Sequence, residues 1–76
     1  MEHSRYVLER FKEAEDYPEA TEDVLLDYLS DLINKSATNK DEAYEILVEY
    51  LDYLQVDPDS LVIKKEGNRF DVEFAE

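Results

Sequence analysis

The stretch Leu61-Val62-Ile63-Lys64-Lys65-Glu66-Gly67-Asn68-Arg69-Phe70-Asp71-Val72-Glu73-Phe74 decides the fold. Two runs of alternating apolar and charged residues flank Gly67-Asn68, the pattern of an antiparallel hairpin closed by a two-residue turn. That turn sets the register: Glu66 opposite Arg69, Lys65 opposite Phe70, Lys64 opposite Asp71, Ile63 opposite Val72 and Leu61 opposite Phe74. One face then carries Leu61, Ile63, Phe70, Val72 and Phe74. The other carries two opposite-charge pairs, and a slip of one residue would scramble both faces. Such an apolar face has to be covered, and the residues before it must supply the cover.

Working outward, Asp57-Pro58-Asp59-Ser60 is a turn cluster, and upstream of it the apolar period changes to that of helices. Val7, Phe11 and Ala14, with Leu8 at the margin, predict a first helix over residues 4–16, ended before Tyr17-Pro18 because a residue preceding proline avoids the helical region. A second helix begins either at Pro18 or after Thr21 as N-cap and runs to about Asn34 through Val24, Leu25, Tyr28, Leu29, Leu32 and Ile33. Residues 35–39 read as a polar loop. Asn39 with Glu42 forms a capping-box pattern that opens a third helix to about Gln55, with Ala43, Ile46, Leu47, Tyr50, Leu51, Tyr53 and Leu54 as its apolar members. The expectation is an α+β fold, three helices followed by a C-terminal antiparallel β-hairpin, in a single acidic domain over residues 1–76.

Composition narrows the function. The chain has 76 residues, 21 Asp and Glu against 8 Lys and Arg, and a formal charge of −13. With 43% hydrophobic residues it is too apolar for a disordered tail. It has no Cys, which removes disulfide frameworks, thiolate metal sites and Cys nucleophiles. No apolar run approaches a membrane span and the first residues lack a signal-type core, so a soluble, cytoplasmic protein is expected. The acidity repels phosphate and attracts Lys/Arg surfaces, which argues against direct contact with nucleic acid or membrane and for a basic protein partner.

The charge is concentrated. Residues 13–63 hold fifteen acids against two bases, Lys35 and Lys40, which is the entire excess, whereas both ends are nearly balanced. On the second helix Glu19, Asp23, Asp27 and Asp31 follow one another at four-residue steps, opposite the Val24, Leu25, Leu29 and Leu32 face. On the third, Asp41, Glu45, Glu49 and Asp52 form another stripe. Like charges four residues apart each cost a helix about 0.2–0.5 kcal/mol, where an interleaved Lys would stabilise it. The macrodipole favours the acids near the helix starts but not Asp31 or Asp52 near the ends. A surface role accounts for the remainder.

Four residues of helix put successive carboxylates about 6 Å apart, so two parallel stripes present about one charge per 3 Å, close to the roughly 3.4 Å phosphate spacing of one DNA strand. In this layout the chain resembles the small acidic inhibitors encoded by bacteriophages, which block host DNA-binding proteins such as histone-like HU, sliding clamps, restriction enzymes, uracil glycosylase or CRISPR effectors. The resemblance covers the charge pattern of residues 13–63. It implies a DNA mimic acting in the host cytoplasm, with Glu19, Asp23, Asp27, Asp31, Asp41, Glu45, Glu49 and Asp52 as the partner-binding residues and a basic DNA-binding protein of the host as partner. Nuclease-immunity or antitoxin-like inhibitors, held by Tyr and apolar anchors, are the neighbouring expectation. Acidic helix faces that serve only solubility are the plain alternative.

Tyr28 and Tyr50 lie on apolar faces and are expected in the core. Tyr44, Val48 and Tyr53 widen the apolar arc of the third helix beyond what one neighbour needs, which suggests a homodimer. No enzyme is expected. The one histidine, His3, sits near the terminus, and the carboxylate stripes offer no pair in contrasting environments. Gly67 is the only glycine, which excludes a phosphate loop. Asp57-Pro58-Asp59 lacks the ligand spacing of a calcium loop. Asp59-Ser60-Leu61 is similar to the phosphopantetheine site of acyl carrier proteins, but it opens a strand rather than a long helix. Neither metal nor cofactor is therefore expected.

Overall fold

The structure, a computed structural model, describes residues 2–75, with side chains from Arg5 onward, so the expectation on His3 lies outside the described side chains. Three helices come first, α1 (Glu2–Glu15), α2 (Glu22–Ser36) and α3 (Lys40–Leu54). A single 3-10 turn over Pro58–Ser60 leads into an antiparallel hairpin, β1 (Leu61–Glu66) and β2 (Arg69–Phe74). The fold is α+β in the expected order. No described helix is long and apolar enough to cross a membrane.

Each boundary has a local cause. α1 ends where Asp16 turns left-handed at φ 53°, so that the Asp16 and Tyr17 amides close back on the Glu13 and Lys12 carbonyls at 3.3 and 2.9 Å. α2 begins after Thr21, whose hydroxyl accepts from the Val24 amide at 3.3 Å, and not at Pro18. It runs two residues past Asn34, so the connection to α3 is shorter than the expected polar loop. α3 opens with the Asn39 side chain accepting from the Glu42 amide at 2.9 Å. The Glu42 carboxylate reaches one residue further back than in the usual box, and takes the amide and hydroxyl of Thr38, both at 2.8 Å. α3 ends at Gln55, left-handed at φ 63°, with the Val56 amide on the Leu51 carbonyl. The carbonyl of Leu54, left over at this end, accepts from the Arg10 guanidinium of α1 at 2.8 Å, which also places a positive charge at the negative end of the helix.

The hairpin has the register read from its sequence, with Leu61 opposite Phe74, Ile63 opposite Val72 and Glu66 opposite Arg69. Gly67 makes the turn at φ +60°, with open space around it. The ion pairs differ from expectation: Lys64 bonds the diagonal Glu73 at 3.2 Å, and Arg69 bonds Asp71 on its own strand at 3.4 Å. Strand twist brings diagonal neighbours within reach of long side chains, so the directly opposite acid is not the nearest partner.

β2 lies against α2 and β1 against α3, while α1 rests on both helices. Between them Val7, Phe11, Leu25, Leu29, Ile33, Leu47, Leu51, Leu54, Leu61, Ile63, Phe70 and Val72 are buried. Burial of a side chain of this kind contributes about 1.5–3 kcal/mol. Ala14, expected on the inner face of α1, is exposed.

The free edge of β2 is closed by α2. The Asn34 amide accepts from the Phe70 N–H at 2.8 Å, and it donates to the Phe70 carbonyl at 2.8 Å and to the Ser30 carbonyl at 2.7 Å. The buried Ser30 hydroxyl accepts from the Val72 N–H at 3.2 Å. Two polar side chains thus take the place of a third strand on an edge that would otherwise hold unpaired backbone groups.

Candidate functional site

Seven of the eight expected partner-binding residues sit on helices and the eighth does not. Asp23, Asp27 and Asp31 lie on α2, and Asp41, Glu45, Glu49 and Asp52 on α3. Glu19 precedes the Thr21 cap and belongs to the connection between α1 and α2, so it does not extend the α2 stripe. All eight are exposed.

Their surroundings separate them. Asp31 is held by Lys35 at 3.5 Å. Among the described residues, no Lys or Arg ion-pairs with Glu19, Asp23, Asp27, Asp41, Glu45, Glu49 or Asp52. Asp23 and Asp27 line a shallow groove with Leu26, Arg69, Asp71 and Glu73, where α2 meets β2. In that groove Arg69 supplies a counter-charge. Asp41, Glu45 and Glu49 line a second groove whose apolar members are Tyr44 and Val48. The grooves share no residue. The second is the more polarised, because its acids have no cation among its lining residues and stand beside exposed apolar surface.

Tyr44 is 38% exposed and Val48 43%, although both are apolar enough to be buried where a neighbour exists. The Tyr44 hydroxyl accepts from the Ile63 N–H at 3.4 Å, which orients its ring against the edge of β1. No comparable polar closure of the β1 edge occurs among the described residues.

Three further tyrosines form a second aromatic cluster with Phe11. Phe11, Tyr28, Tyr50 and Tyr53 follow one another with ring centroids 5.3, 5.8 and 5.9 Å apart. Tyr28 and Tyr50 are not the core residues expected from their position: Tyr28 is exposed at one edge and Tyr50 is half-buried. For Tyr50 the reason is polar. The Tyr50 hydroxyl donates to the Glu15 carboxylate at 2.9 Å, which holds the ring at the rim of the α1–α3 contact. Burial first, and the acceptor carboxylate second, push the Tyr50 phenol well above its usual pKa.

One carboxylate is perturbed by hydrogen bonding. The backbone amide of Thr38, and then its hydroxyl, hold Glu42 below the ordinary carboxylate range. Glu42, though exposed, is thereby tied into the frame of α3. Among the described residues no group of three or more His, Asp or Glu could hold a metal ion.

Ser30, Asn34 and Arg10 were not legible as working residues from spacing alone. A signal for the first two exists: they are polar residues four apart, on the flank of α2 that continues the line of Asp23 and Asp27. Comparison with known protein families, with curated proteins and with solved structures returns no match.

Proposed function

We propose that this chain is an acidic protein-interaction module that occupies the basic, phosphate-binding surface of a nucleic-acid-binding protein and so competes with DNA. One observation carries the reading: seven of the eight carboxylates are exposed on the surface without a Lys or Arg partner among the described residues. A helix surface serving only solubility is better stabilised by interleaved lysines, which α3 does not have beyond Lys40. The uncompensated field favours association with a cationic groove and repels phosphate. The residues given this role are Asp23, Asp27, Asp41, Glu45, Glu49 and Asp52, with Glu19 and Asp31 at the margin.

The test is displacement of labelled duplex DNA from histone-like HU, a sliding clamp and a restriction enzyme, followed by fluorescence anisotropy over a range of salt. Displacement that weakens steeply as ionic strength rises, and that disappears when Asp23, Asp27, Glu45 and Glu49 are all changed to Lys with the helical circular dichroism intact, is the expected result. Charge reversal without effect on displacement excludes the reading. A second reading, an immunity-type inhibitor anchored by aromatics, is favoured by the Tyr28, Tyr50 and Tyr53 stack, in which Tyr53 is 62% exposed. Its complex would persist in salt.

A further inference from the structure

The geometry points to the Tyr44–Val48 groove of α3 as the seat of an apolar side chain carried by a basic segment of the partner, so that recognition is anchored there and not purely electrostatic. The inference rests on the acidic-module reading and specifies the chemistry of its ligand.

Tyr44 and Val48 lie one helical turn apart and face the same way, and both stay exposed while the rest of the apolar surface of α3 is buried or half-buried, apart from Tyr53. The Tyr44 ring is oriented by the bond from the Ile63 amide, so its face is presented at little cost in side-chain freedom. Around the two residues stand Asp41, Glu45 and Glu49, unpaired among the described residues. An apolar floor rimmed by acids on one face suits an apolar residue set between lysines or arginines: the centre loses water while the rim charges meet across a wet boundary. A second copy of this chain fits poorly. Two-fold pairing through the groove would bring each rim of carboxylates against itself.

The test uses the full chain and two short Lys/Arg peptides that differ only at the centre, leucine in one and serine in the other. The wild-type protein should bind the leucine peptide about tenfold more tightly, the factor expected from partial burial of one such side chain. Val48→Ser, an exposed substitution that leaves the core intact, should remove that preference while both peptides still bind. Glu45→Gln with Glu49→Gln should weaken both peptides and flatten their salt dependence, yet keep the preference for leucine. Equal binding of the two peptides by the wild-type protein overturns the anchor and leaves the acidic-module reading standing. Failure to bind either peptide at low salt overturns both. Concentration-dependent self-association that Val48→Ser abolishes assigns the groove to a second copy and also overturns the inference.

Discussion

The two flanks of the hairpin are built differently. On the α2 flank, Asn34 and Ser30 are spent on the backbone of β2, Lys35 is spent on Asp31 and Arg69 stands among the acids of the groove. On the α3 flank, a single long bond joins Tyr44 to β1, the carboxylates have no partner among the described residues, and Tyr44 and Val48 face outward. On the first flank Asn34, Ser30 and Asp31 are engaged in holding the fold together while Asp23 and Asp27 stay free of ion pairs among the described residues, and on the second Asp41, Glu45 and Glu49 all do. The apolar surface left exposed beside the acids, Tyr44 and Val48, lies on the second flank.

The comparison is broken most directly at Asn34. Asn34→Asp keeps the shape and the acceptor for the Phe70 amide but removes the donors to the Phe70 and Ser30 carbonyls and sets a negative charge against both. A loss of about 2–3 kcal/mol is expected, seen as a fall in melting temperature of roughly 10 °C or more. The matching change on the other flank, Tyr44→Phe, should cost less than about 0.5 kcal/mol, because the bond it deletes is long and half-exposed. If the two losses are equal, both edges are sealed alike and the contrast is gone.

A finer contrast lies at the helix starts. The α2 cap is a Thr21 hydroxyl, which does not titrate, whereas at α3 the Asn39 cap is supplemented by the Glu42 carboxylate, which does. The folded pKa of Glu42 lies below the ordinary 4.5 of its carboxyl, so its contribution is complete above that value and is lost as pH falls through the lower, folded one. The Thr38 amide resonance should therefore titrate with a midpoint below 4.5 while the Val24 amide stays fixed.

Much of this was readable in advance. The hairpin register followed from Gly67-Asn68 and the two alternating runs, because a period of two leaves one arrangement with a clean face. The α3 start followed from Asn39 and Glu42. Spacing alone left open whether α2 began at Pro18 or Thr21, and so placed Glu19 in a stripe it does not join. Nor could it show that Asn34 reaches Phe70, 36 residues away, since a helix wheel does not say which strand edge will arrive beside it. The acidic residues were visible, but their difference in character was not, for that depends on which flank has a strand bonded to it.

The clasp between Arg10 and the Leu54 carbonyl spans 44 residues of chain. As the polypeptide is made from its amino end, α1 therefore waits for nearly the whole of α3 before its guanidinium finds that acceptor. α1 packs on both other helices, so the site that buries Val7 and Phe11 is complete only with the end of α3 in place.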